Sequence, residues 1–227
     1  MTNRRKFLVQ SSLAATALAA AKPINALAKY SSPLTGGRFN FNNITFLHTA
    51  GADLSMAAQV KKITDKNTSV VLLHAGKNSG GEMQRLNYDV SHQSLNETHE
   101  GGYKIVYKDN IKVGVIAVNA HEHNSVNRAN DLAAMLKKEK DCHFVVCISQ
   151  LGFKNKNKTD DITLAGTSEH IDIIVGEHSS GSPKRPVTAF NKKRAEVIIQ
   201  HTPETTAALG KIKIGLDRSG SKFNVSF

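Results

Sequence analysis

The sequence has no tryptophan, two cysteines and five prolines in 227 residues. Nine Phe and four Tyr are its whole aromatic complement, so the core has to be aliphatic. Two cysteines exclude a disulfide-stapled scaffold, and no zinc-ligand spacing accompanies them. Cys142 and Cys147 lie five apart around one predicted strand. Alternation sends their side chains to opposite faces, so no mutual bridge is expected, and Cys147 within FVVCIS reads as a small core residue. Acids are scarce, 19 against 30 basic residues, for a net charge of +11. Arg4, Arg5, Lys6 and Lys22 supply four of those charges, leaving +7 from residue 29 onward. The remaining lysines are scattered, with no basic stripe and no interleaved aromatics, which reads as a solvated surface and argues against nucleic-acid binding. A 40% apolar, 22% charged composition excludes disorder and collagen. No run after residue 28 is long and apolar enough to span a bilayer.

What is present begins with an address. Residues 1–28 combine a basic start, a modest apolar stretch diluted by Ala, Ser and Thr, and a small-x-small end. Arg4-Arg5 followed by Lys6-Phe7-Leu8 looks like a twin-arginine export signal. Ala26-Leu27-Ala28 is the expected cleavage site, after Ala28, leaving Lys29 first. The expectation is a folded periplasmic protein, with 1–28 as signal peptide, 29–227 as one domain and no stable membrane span after cleavage.

Short apolar runs between turn residues dominate the rest. Asn43–His48, Ser69–His74, Lys112–Val118, His143–Ser149 and Ile171–Val175 lack strict alternation and read as strands covered on both faces. Tyr103–Tyr107, Asp109-Asn110 and the next strand form a predicted hairpin. Glu196–Gln200, Lys211–Leu216 and Lys222–Val225 alternate more and read as antiparallel. Helices are predicted after Ser55 and Ser125 as caps, and over Thr159–His170. The class is α/β, with a mixed sheet or a stacked pair of sheets.

Chemistry in α/β proteins sits at strand ends. Read in order, those ends are FLHTAGAD, LLHAGK, CISQLGF and IIVGEHSS. The series resembles the metallophosphoesterase domain of secreted 5′-nucleotidases and UDP-sugar hydrolases, whose motifs are LHTND-x-H, LLDAGD, a GNHE loop, LSHLG and IIGGH-[ST]-H. The intervening YKIVYKDNIKVGVIAV and VIIQHTPETTAALGKIKIGLD are similar too, so the resemblance runs from about Ile44 to Asp217. It implies two stacked mixed β-sheets flanked by helices, here trimmed in the first half.

The resemblance also implies two divalent metal ions about 3.5–4 Å apart, bridged by a carboxylate. This sequence departs from that ligand set almost everywhere. The first-motif Asp falls at Gly51 and the His at Asp53. The Asp preceding Ala in the second motif falls at His74, and the bridging Asp falls at Lys77. The His of SHLG falls at Gln150; of the last pair, His178 is kept and the second becomes Ser180. Between Gly81 and Asn87 only EMQRL remains, where the family carries a helix, a strand and the GNHE loop. An ammonium group where two cations should sit repels them. The expected protein is therefore a catalytically inactive homologue without metal, in a binding or scaffold role; the alternative is a phosphohydrolase with a rebuilt site.

Other constellations are weaker. His121-Glu122-His123 reads as a surface loop, and a single-metal site from His48, Asp53, His74 and His178 is a minor alternative. AGKNSGG lacks the phosphate-loop spacing, but Lys77 with nearby backbone N–H groups suits a phosphate or nucleotide ligand. Ser149 and Ser179 lie near histidines in no nucleophile elbow. The family's base-binding C-terminal domain is not in this sequence, so a separate protein carrying it is an expected partner.

Overall fold

The computed structural model describes residues 43–51, 54–76, 86–97, 102–120, 122, 124–155, 159–177, 182–203, 208–217 and 222–227. The export signal, with Arg4, Arg5 and Ala28, lies outside them. All described residues belong to the unit Asn40–Phe227.

Eleven described strands make two sheets. The first contains β1 (Asn43–Thr49), β2 (Val70–His74), β3 (Val90–Ser91), β10 (Gly210–Leu216) and β11 (Lys222–Ser226), in the order β11-β10-β1-β2-β3. Strands β1, β2 and β3 run parallel, while β10 and β11 are antiparallel additions. The second sheet orders β4 (Tyr103–Lys108), β5 (Ile111–Val118), β6 (Phe144–Ser149), β7 (Ile173–Glu177), β9 (Glu196–Thr202) and β8 (Val187–Phe190). Its four inner strands are parallel and both edges antiparallel. Helices α1 (Leu54–Thr64), α2 (His92–Glu97), α3 (Ser125–Lys138) and α4 (Asp161–Thr167) complete the described elements.

Three apolar layers follow from strand alternation. Between the sheets, Ile44, Phe46, Val71 and Leu73 meet Val115, Phe144, Val146 and Ile173. Phe46 and Phe144 stand edge to face, with ring centroids 5.6 Å apart. The outer face of the first sheet buries Leu47, Val70 and Leu72 under Met56 and Val60 of α1. The outer face of the second buries Val145, Cys147, Ile174 and Ile199 under Ala129, Ala133 and Leu136 of α3 and Leu164 of α4. Strands covered on both sides explain the runs without alternation, and the architecture is the expected α/β sandwich of two mixed sheets.

Several local expectations are corrected. Strand β9 is antiparallel to the edge strand β8, as its alternation implies, but on its other side it pairs parallel with β7. Ser125 is the first residue of α3; the cap position is Asn124, in the left-handed region at φ 70° with no side-chain cap bond. Ser55 likewise lies within α1, whose first residue is Leu54. Helix α4 is shorter than predicted: Asp160 caps it by accepting from the Thr163 N–H at 2.8 Å, and extended Ser168 ends it. Cys142 and Cys147 are both free; Cys147 is a buried core residue as expected, and Cys142 is buried in the same outer layer rather than on the opposite face. Cys142 precedes β6, so the strand's two-residue period does not reach it. Among the described residues no helix is long and apolar enough to cross a membrane.

One ion cluster ties the sheets together. Asp172, ahead of β7, accepts from the Val145 N–H at 2.8 Å and pairs with Lys137 of α3 at 2.8 Å and with Lys222 of β11 at 2.7 Å. Burial alone would raise its pKa, but the two ammonium groups outweigh that and hold it below the usual carboxylate value. A carboxylate depressed in the folded state stabilises the fold above its unfolded pKa of about 3.9, and that contribution vanishes as the pH falls through the lowered value. Asp172→Ala is expected to cost about 2–3 kcal/mol at neutral pH, and the deficit should shrink in acid. Urea unfolding of both proteins between pH 7 and pH 3 checks this.

Candidate functional site

The parallel strands of the two sheets bring their carboxyl ends to a common edge, linked across the sheets by His48 with Thr202 and by His92 with Gln150. On the first sheet, Thr49 and His74 are register partners across β1 and β2. The Thr49 hydroxyl lies 3.0 Å from His74 Nδ1 and 2.7 Å from the Tyr88 hydroxyl, and the Tyr88 ring lies 5.1 Å from that of His74. Burial pushes the Tyr88 phenol up, partly offset by its bond to Thr49. The turns beyond these strands touch through backbone: the Ala75 N–H donates to the Thr49 carbonyl at 2.7 Å, and a Cβ on Gly76 would lie 1.8 Å from the Ala50 carbonyl oxygen. Only glycine fits there.

Between the sheets His48 is fully buried. Burial lowers its pKa to about 4, against an opposing pull from Gln200 and with some further lowering by His201. It is a neutral imidazole at physiological pH. Its Nδ1 lies 3.5 Å from the Thr202 hydroxyl, while Nε2 faces Gly210, where a Cβ would sit 2.1 Å away.

On the second sheet Gln150 follows β6. Its amide nitrogen lies 3.1 Å from Nδ1 of His92, the first residue of α2, and the Asn96 amide nitrogen reaches the same atom at 3.1 Å. The Asn119 amide continues the chain by donating to Asn96 Oδ1 at 3.2 Å. With two amide nitrogens within 3.1 Å of it, Nδ1 is placed to accept from both amides.

His92 is the residue that sequence reasoning missed. It sits on a short strand–helix unit that the sequence reading did not predict: Val90-Ser91 pairs parallel with β2 and leads into α2. A two-residue strand leaves no periodic signal, though Asn87-Tyr88-Asp89-Val90 marks its position. Asp89 replaces part of the missing ladder, its carboxylate accepting from the Leu72 N–H at 2.8 Å and pairing with Lys108 at 2.7 Å.

Of the sequence-predicted site positions, Gly51, His74 and Gln150 are described at this edge, while Asp53, Lys77, His178 and Ser180 lie outside the described residues. Glu122 is also described and pairs with Arg128; His121 and His123 lie outside. The described donors do not fit a pair of divalent cations. Gly51 has no side chain, and Gln150 is a neutral amide already bound to His92. His74 shares a hydroxyl with Tyr88. Among the described residues no three His, Cys, Asp or Glu side chains are grouped to hold a metal.

No family model matches the chain, and no curated protein matches it. Solved structures do. A 5′-nucleotidase precursor from Thermus thermophilus superposes with a TM-score of 0.61 at 15% identity, covering 81% of this chain and 53% of that one. The NAD nucleotidase NadN of Haemophilus influenzae gives 0.61 at 13% identity, covering 81% and 55%. A hypothetical protein from Thermus thermophilus gives 0.54 at 10% identity, covering 81% and 97%. The chain spans about half the length of the two nucleotidases. The likeness is one of fold, and it is the metallophosphoesterase-like fold of the 5′-nucleotidase N-terminal domain.

Thr49 is the hinge of the polar contacts on the first sheet. Thr49→Val keeps the shape but removes the hydroxyl that joins His74 to Tyr88. The expected result is a loss of about 1–3 kcal/mol and a further rise in the Tyr88 pKa, because the bond that offsets burial is gone. Chemical denaturation and ultraviolet titration of the phenol measure the two effects.

Proposed function

We propose that this chain is a non-catalytic relative of the 5′-nucleotidase-type phosphoesterases, with a binding or scaffold role. The observation that carries the reading is the Gln150–His92–Asn96 contact: where the resemblance puts a metal-ligating imidazole, a neutral amide is held by protein hydrogen bonds. Gly51 offers no donor, and Lys77 puts a positive charge at the position of the bridging carboxylate. Such a charge disfavours two cations and favours an anion. A phosphate or nucleotide held by Lys77 and nearby backbone N–H groups is the proposed ligand. A separate protein carrying the base-binding domain is the proposed partner.

The assay is metal analysis of the purified protein together with nucleotide hydrolysis in added Mn²⁺ or Zn²⁺. The expected result is substoichiometric metal and no turnover, with phosphate or nucleotide binding that is lost in Lys77→Ala. Two equivalents of bound metal with turnover would establish instead a phosphohydrolase with a rebuilt site.

The proposed route to the site of action is twin-arginine export to the periplasm. The support is Arg4-Arg5 and the Ala26-Leu27-Ala28 ending. Replacing both arginines by lysine is expected to leave the uncleaved chain in the cytoplasm, whereas the parent chain should be recovered from the periplasm starting at Lys29. Cell fractionation with N-terminal mass spectrometry reads both.

A further inference from the structure

A second polar cluster lies behind this edge, and the proposed binding role does not use it. Alternation turns Ser149 away from the side that Gln150 occupies, toward α4 and the outer layer. There Asp161, the first residue of α4, is fully buried. Its Oδ1 accepts the Ser149 hydroxyl, and its Oδ2 lies 2.7 Å from His201 Nε2. His201 Nδ1 lies 3.0 Å from the Ser182 hydroxyl. Ser149 is fixed in turn by the Leu151 N–H at 3.1 Å, and the Phe153 ring stands edge-on to His201 at 6.0 Å. Gly176 leaves room for the imidazole: a Cβ there would lie 3.0 Å from both His201 Nε2 and the Ser149 carbonyl oxygen.

The proton positions follow from the partners. An ionised carboxylate only accepts, so the Asp161 contact puts an N–H on His201 Nε2. With the N–H on Nε2, Nδ1 is the ring atom left to accept a proton, and it faces the Ser182 hydroxyl at 3.0 Å. The side chains of Asp161 and His201 are 0% and 1% exposed. Ser149 is buried, whereas Ser182 is partly exposed. This is the order of a nucleophile, a base and an orienting carboxylate, with the two ring nitrogens exchanged relative to the serine-protease arrangement.

We propose that Ser182 is the nucleophile of a site that processes uncharged carboxylic esters, with His201 as general base and Asp161 as the positioning residue. Ser182 Oγ adds to the ester carbonyl carbon as its proton passes to His201 Nδ1. The carbon–oxygen bond to the alcohol breaks, and the departing oxygen takes that proton. Water adds to the acyl-Ser182 by the same route, releasing a carboxylic acid and restoring Ser182. A buried carboxylate one imidazole away repels a phosphate dianion, whereas a neutral acyl ester meets no such repulsion. At the end of β6, Ser149 of this cluster and Gln150 of the edge face opposite ways.

The full chain treated with a fluorophosphonate probe should take up one equivalent, mapped to Ser182 by peptide mass spectrometry, and should release a burst of nitrophenol from p-nitrophenyl acetate. Ser182→Ala alters a partly exposed hydroxyl, keeps the His201–Asp161 pair, and should abolish both signals with an unchanged circular dichroism spectrum. His201→Gln should slow labelling by roughly 10²-fold or more. No label on Ser182 in the folded parent chain overturns the proposal. A nitrophenol burst that persists in Ser182→Ala overturns it as well, whether or not His201→Gln folds.

Discussion

The constraint on which this structure depends is that its parallel strands are buried on both faces. A side chain at a strand end has only two directions available, toward the other sheet or toward the helices. Neighbours in sequence therefore enter different chemical environments. Gln150 joins His92 at the meeting edge of the sheets, while Ser149, one residue earlier, joins Asp161 beneath α4. The same rule sends His48 between the sheets and Thr49 to the outer side, where it meets His74 and Tyr88.

The described polar groups at the edge are predominantly neutral and mutually engaged. Burial keeps His48 neutral, and two amide nitrogens engage Nδ1 of His92. Strong charge is instead used elsewhere, at Asp172, where ammonium groups from α3 and β11 converge on one carboxylate above the Phe144 ring. That division separates what holds the sheets together from what a ligand would meet.

Much of this is legible in the sequence. Runs such as Ser69–His74 and His143–Ser149 carry enough apolar residues to mark buried strands within a residue or two, and the motif order implies the two-sheet sandwich. What escapes has physical reasons. Strand β3 is two residues long and α2 six, too short for any period to register. Strand β8 alternates only between exposed and half-buried positions. The pairing direction of β9 depends on which strand lies beside it, which local composition does not encode. Of the candidate site, His74 and Gln150 follow from motif position. His92 and the Ser182–His201–Asp161 array do not, since their members come from separate segments that meet only after folding.

The first strand sits in the interior of its sheet, between β2 and β10. Its antiparallel partner is far along the chain, Ile44 opposite Ile214. At ribosomal speeds the wait between making the two is on the order of ten seconds or more. During that interval the Ile44 and Phe46 side of a nascent chain has no finished sheet to enter, and one edge of β1 offers unpaired amides to any passing strand. Such a topology makes late completion of folding a property of the architecture, and it places a premium on chaperone shelter during translation.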